Sequence, residues 1–185
     1  MLLNKNKLKI LEEFSADYNK KIYGRNIAKK LKMNQKTVSN VLNKLENENI
    51  LKFSQEGKNK YYYLNGFYPY KKEIIQMVEI ERKIGFLEKY ARLKELFLKL
   101  EEQTDGVLVI FGSYANLNAN EKSDLDVFII GSIKDFENDL EESYNLKINV
   151  IKSDKNKFNR NEYIIKEIIK NHIILKGAEE FVGLI

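Results

Sequence analysis

Apolar positions recur along this chain with two periods, one helical and one extended. From Lys5 to Tyr18 they fall at Leu8, Ile10, Leu11 and Phe14, close to the 3.6-residue repeat of a helix. Within Arg25–Met33 a second helical face reads Ile27, Ala28 and Leu31. Met33-Asn34 breaks it, and Gln35–Glu48 carries a third face at Val38, Val41, Leu42 and Leu45. Two β-prone segments, Ile50–Phe53 and Lys60–Leu64, flank a stretch whose Gly57 and Asn59 suit a hairpin loop. The only proline, Pro69, follows and marks a boundary.

Tyr70–Gln103 then reads as helix, with Ile74, Met77, Ile80, Ile84, Leu87 and Ala91 on one stripe and Gly85 leaving a bend open. The stripe suits either a dimer seam, which Lys94 interrupts, or packing against the preceding segment. Leu93, Leu96, Phe97 and Leu100 are expected to cover a sheet. Val107–Phe111 and Leu125–Ile130 are apolar strands. Asp135–Tyr144 reads as helix, Leu146–Ile151 as a third strand, Phe158–Lys170 as helix and His172–Leu175 as a short apolar tail.

The two strands at 107–130 carry the densest candidate chemistry. The first ends in Gly112-Ser113, and the second opens with Asp124 and Asp126. Successive side chains in a strand alternate faces, so these two carboxylates point the same way and are placed to share a hard divalent cation. Glycine lets backbone amides approach a phosphate, and a serine hydroxyl adds a donor. The alternative is a pair of buried strands with a solvated acidic turn.

Charge separates the chain into halves. Residues 1–65 hold 14 Lys/Arg against 6 Asp/Glu, a balance of +8, and the remainder holds 18 against 21. A basic half joined to a different one points to nucleic-acid binding at the N-terminal end. With no cysteine, disulfides and thiolate metal sites are excluded, and the single histidine, His172, reads as structural. The N-terminus lacks the apolar core of a signal peptide and no run approaches a membrane span, so the cytoplasm is the expected location.

Three helices followed by a hairpin resemble the winged helix-turn-helix of prokaryotic regulators over about residues 5–65. That resemblance implies double-stranded DNA as partner, with the third helix entering the major groove. Its exposed face offers Gln35, Lys36, Thr37, Ser39, Asn40, Asn43 and Lys44, with Lys58 and Lys60 on the wing. Arg25, Lys29, Lys30 and Lys32 are weaker candidates, and a winged helix used for protein contacts is the alternative.

From about Leu93 onward the Gly-Ser turn, the spacer and Ser-Asp-Leu-Asp resemble the minimal nucleotidyltransferases of the DNA polymerase beta superfamily. The resemblance implies that Gly112 and Ser113 hold a triphosphate and that Asp124 and Asp126 hold Mg²⁺ and serve catalysis, with an NTP as ligand or substrate. The expected fold is α+β: a winged helix-turn-helix over 1–66, a helical connector over 67–92, and a small α/β nucleotidyltransferase-like domain over 93–185.

Two departures stand out. Where the superfamily generally carries a third carboxylate on the next strand, the matching position is Asn149, unless a different register brings in Asp154. After Gly-Ser-x-Ala, close relatives often carry a basic residue and a glycine, where this chain has Asn116 and Leu117; Lys122 could compensate or be a solvated loop lysine. The leading expectation is a DNA-binding regulator, homodimeric, whose C-terminal domain binds a nucleotide and Mg²⁺, as a sensor or as an enzyme with weak or no transfer. The alternative is an active transferase moving NMP to a protein or small-molecule hydroxyl, with a helical toxin-like partner as acceptor. A purely structural scaffold is the third reading.

Overall fold

A computed structural model describes residues 3–134 and 137–185, with side chains described outside 137–139. The chain divides into two compact units, Met1–Val78 and Glu79–Ile185. Among the described residues no helix is long and apolar enough to cross a membrane.

In the N-terminal unit, α1 (Lys5–Glu12) is capped by Asn4, whose side chain accepts from the Lys7 amide. Strand β1 (Ile22–Tyr23) leads into α2 (Gly24–Lys30) and then α3 (Gln35–Asn47), which Asn34 caps by accepting from the Lys36 amide. Strands β2 (Leu51–Glu56) and β3 (Asn59–Leu64) form an antiparallel hairpin closed by Gly57-Lys58. The sheet order is β1-β3-β2. Ile10, Phe14, Ile27, Val38, Leu42 and Leu45 are all nearly inaccessible and share the core the periodicity predicts. Lys7 is buried with them and reaches Glu48 at 2.6 Å, so its charge is paired where it leaves water.

The helical stretch expected over 70–103 is two helices. Helix α4 (Lys71–Lys89) ends at Tyr90, a 3-10 turn spans Ala91–Leu93, and α5 (Lys94–Gln103) follows. The break falls at Tyr90, not at Gly85: Tyr90 leaves helical geometry at φ −104 and ψ 42, and its ring lies against Phe86 and Tyr114, at centroid distances of 5.1 and 4.9 Å. The apolar stripe also divides. Ile74 is buried, but Met77, Ile80 and Ile84 are exposed, and the inward positions are Ile75, Val78 and Phe86.

In the C-terminal unit, β4 (Thr104–Phe111), the short helix α6 (Gly112–Ala115), β5 (Leu125–Ile133), α7 (Glu137–Tyr144) and β6 (Ile148–Ser153) follow in order. The expected helix start at Asp135 lies outside the described residues. The helix expected from Phe158 begins only at α8 (Tyr163–Lys170), because Asn159 closes a local turn, its Oδ1 accepting from the Asn161 amide. The expected apolar tail is a strand, β7 (His172–Lys176), and α9 (Ala178–Leu184) ends the chain. The sheet order is β6-β5-β4-β7, with β5–β6 parallel and the other two pairs antiparallel.

Alternation along these strands sorts two faces. Leu108, Ile110, Leu125, Val127, Ile129 and Ile148 pack with Phe86, Leu96, Phe97 and Leu100. Phe128 on the other face meets Phe158, which meets Phe181. Gly106 lies directly across from Gly131, at φ +104 and +125, and a Cβ on either would sit 2.2 Å from a carbonyl oxygen of the opposite strand. Only glycine permits that approach. Two cations of α4 occupy β7's outward carbonyls: Arg82 donates to His172 O and Lys83 to Leu175 O, satisfying groups an open edge would expose.

Phe97→Ala removes a fully buried ring that packs, tilted by 48°, against Phe86 at a centroid distance of 4.9 Å. It is expected to destabilise the C-terminal unit by about 3–5 kcal/mol, read by urea unfolding of the full chain. A loss below about 1 kcal/mol would show that this interior closes around the void and is not close-packed.

Candidate functional site

The register of β5 against β6 sets the site. Asp126 pairs with Asn149 in the parallel ladder, and with Phe111 on the other side, which in turn pairs with His172. Asn149, Asp126, Phe111 and His172 therefore form one row across all four strands, with their side chains on one face. Asp124 shares that face, two residues before Asp126.

The carboxylates are not free of each other's surroundings. Asn149 Nδ2 lies 3.0 Å from Asp126 Oδ1 and 3.3 Å from Asp124 Oδ2. Carboxylates accept hydrogen bonds and the amide NH₂ has two hydrogens to donate, so one amide bridges the pair. Lys147 adds its ammonium 3.5 Å from Asp124 Oδ2, at the exposed end. Asp154 stands beyond β6 beside Lys157, and the observed register leaves it out of the row.

The Gly-Ser turn abuts the same pair. Gly112 has φ +69, and a Cβ there would lie 2.2 Å from Asp126 Oδ2. Glycine is required twice over, by the backbone conformation and by the contact. Asp126 is thereby held on one oxygen by the Asn149 amide and against the turn on the other. Asn171, a residue the sequence reading passed over, donates from Nδ2 to Gly112 O at 3.1 Å and ties the turn to the end of α8. Ser113 is the second residue of α6, with its carbonyl accepting from the Asn118 amide, while Tyr114 and Ala115 are buried.

The loop beyond carries Asn116 and Leu117, the latter at φ +58. Neither is a cation, yet Lys89 of α4 donates to Leu117 O. That positive charge was invisible to a local reading because 28 residues separate the partners. A cavity of about 460 Å³ opens beside Asp124, with Lys122, Ser123, Glu141 and Lys147 in its wall. It shares Glu121, Asn145 and Leu146 with a second cavity of about 700 Å³ lined by Tyr90, Tyr114 and Tyr144. Burial pushes the Tyr90 and Tyr114 phenols above the usual tyrosine range.

Residues 91–180 match the family model described as Nucleotidyltransferase domain. A nucleotidyltransferase domain is present in this chain. No curated protein and no solved structure matches it. The nucleotidyltransferase domain thus contains the Gly112-Ser113 turn, both aspartates and Asn149. His172, at the far end of the row, is fully buried: Nδ1 donates to Ile169 O at 2.7 Å and Nε2 lies 3.4 Å from Glu79 Oε2. Its contacts are those of a structural residue. Among the described residues no group of three or more His, Cys, Asp or Glu side chains converges to hold a metal. The donor set at the aspartates does not fit a divalent cation as it stands, since the group facing both carboxylates is an amide nitrogen with no lone pair to donate.

In the N-terminal unit the exposed side of α3 carries Gln35, Lys36, Ser39, Asn40, Asn43 and Lys44, with Thr37 half-buried. Asn43 Oδ1 accepts from the Tyr62 hydroxyl at 3.3 Å, and burial, then Glu46, raises the Tyr62 phenol. Lys58 sits in the hairpin loop, and Lys60 rests over the Phe53 ring at 4.1 Å. A small cleft of about 170 Å³ joins Gln35 and Ser39 to Lys60 and brings in Arg25, ranked lower from sequence.

Gly112→Ala is expected to destabilise the protein by about 1–3 kcal/mol, from the left-handed backbone and the collision with Asp126. Denaturant unfolding of the full chain reads it; a change within about 0.5 kcal/mol would mean that Asp126 is free to move away.

Proposed function

We propose that this chain is a DNA-binding transcriptional regulator whose nucleotidyltransferase domain transfers nucleotide weakly or not at all. One observation carries the second half of that reading: the Asn149 amide bridges Asp124 and Asp126 at the position where a third carboxylate would act. An amide does not accept a proton from an attacking hydroxyl at neutral pH, and losing a general base typically costs about 10²- to 10⁴-fold in rate. The first half is supported by the +8 balance of residues 1–65 and by the three helices and hairpin, arranged as a winged helix-turn-helix would be. On this reading α3 presents Gln35–Lys44 to the major groove, Lys58 and Lys60 meet the backbone, and duplex DNA is the partner. A homodimer matching two half-sites completes the proposal, with Ile80 and Ile84 of α4 as its exposed apolar contacts.

An active transferase is the second reading, and the contact of Gly112 with Asp126 favours it, because the phosphate turn and the carboxylates are one site. In it Ser113 would hold the triphosphate of an NTP, Asp124 and Asp126 would take Mg²⁺ once the Asn149 amide turns aside, and the acceptor would be a hydroxyl of a small molecule or of a helical toxin-like protein.

Two measurements separate the halves. Lys36→Ala and Lys44→Ala are each expected to weaken binding of the full chain to genomic DNA fragments. Each should lower the slope of log affinity against log salt by about 1. Binding that is absent, or indifferent to salt, removes the DNA-binding half. For the other half, wild type and Asn149→Asp are incubated with labelled NTPs, Mg²⁺ or Mn²⁺, and candidate hydroxyl acceptors. The variant is nearly isosteric and is expected to transfer at least about 10²-fold faster than wild type. Brisk transfer by the wild-type chain promotes the second reading.

A further inference from the structure

We propose that the Asn149 amide stands in for a divalent cation, so that the wild-type domain holds its two aspartates together without metal and does not take up free Mg²⁺. This rests on reading the Asp124–Asp126 pair as the domain's reaction centre, and it concerns what occupies that centre at rest.

Two carboxylates on one strand face repel each other and need a positive partner. A metal ion is one solution. Here the partner is already built in: Nδ2 of Asn149 contacts one oxygen of each aspartate, at 3.0 and 3.3 Å, and the Lys147 ammonium lies 3.5 Å from Asp124 Oδ2. The amide presents hydrogens, not lone pairs, toward the space between the carboxylates. A cation seated there faces that positive end, and gains the carboxylates at full strength only when the amide rotates or leaves.

The position is not adjustable by backbone drift. Asn149 is locked opposite Asp126 by the β5–β6 ladder, and Asp126 is backed by Gly112 on its other oxygen. Cutting the Asn149 side chain back to a methyl group unbridges the carboxylates and opens the space. Replacing it by a carboxylate puts a third negative charge in the row, which then requires a cation. The chain therefore trades metal dependence for self-sufficiency through one side chain.

The test uses the full chain and MnCl₂ as probe. Mn²⁺ binding is read by electron paramagnetic resonance, and melting temperature is followed with and without Mn²⁺ or Mg²⁺. Wild type is expected to bind Mn²⁺ weakly and to melt at the same temperature with or without it. Asn149→Ala is expected to bind Mn²⁺ at least about tenfold more tightly, because the hydrogen bonds to the charged groups no longer compete. Asp124→Asn added to Asn149→Ala should abolish that gain and so locate it at this pair. Asn149→Asp is expected to melt lower than wild type without metal and to rise by about 4 °C or more with it. Wild type that binds Mn²⁺ as tightly as Asn149→Ala overturns the proposal, as does a folded Asn149→Asp chain whose melting ignores metal. If Asn149→Asp does not fold, the comparison of wild type with Asn149→Ala decides alone. A wild-type chain that transfers nucleotide briskly refutes the functional reading above, and a wild-type chain that is inert yet binds Mn²⁺ tightly refutes only the amide's role.

Discussion

The parallel register between β5 and β6 is the constraint on which the C-terminal unit depends. It joins Asp126 to Asn149 residue for residue, and through β4 and β7 it extends that pairing into a row ending at His172. A slip of one residue would turn Asn149 to the opposite face and bring Ile148 or Val150 against the carboxylates. The core on that opposite face resists such a slip, since Leu125, Val127 and Ile148 are buried there with Leu96, Phe97 and Leu100. Apolar packing on one side of the sheet thereby fixes polar chemistry on the other.

Around that register the unit satisfies several of its backbone carbonyls by reaching across elements. Arg82 and Lys83 close the edge of β7, and Lys176 donates to the carbonyls of Glu101 and Thr104. Asn171 holds the Gly112 carbonyl and Lys89 the Leu117 carbonyl. These are cationic or amide donors to backbone oxygens, the kind of bond that keeps a buried or half-buried carbonyl from losing water without compensation. The site that results is preorganised, because each side of the Gly112 turn is tied to a different helix.

The N-terminal unit follows a simpler logic. Apolar faces of three helices meet over a small antiparallel sheet, and polar and cationic side chains are left outside on α3 and the hairpin. The buried ammonium of Lys7 is paired with Glu48, whereas the lysines of α3 remain exposed. Exposed lysines keep both their charge and their hydration, which is what release of counterions from a polyanion exploits.

Much was legible from residue spacing alone. The helical faces at Ile27–Ala28 and at Val38, Leu42 and Leu45, the hairpin around Gly57, and the strands flanking Gly112-Ser113 follow from periods of 3.6 and 2, which backbone geometry imposes within a single element. The shared face of Asp124 and Asp126, and the position of Asn149 on the next strand, were readable for the same reason. What only the tertiary structure decided involves partners far apart in sequence. The break at Tyr90 sits where its ring packs on Tyr114, and the tail at His172 is a strand that pairs along the edge of β4. Spacing likewise could not show that Asn171 and Lys89 reach the loops of the site, or that the amide of Asn149 bridges both aspartates. Periodicity is a property of one segment, whereas a contact between segments depends on register and packing, and those are set by the whole sheet at once.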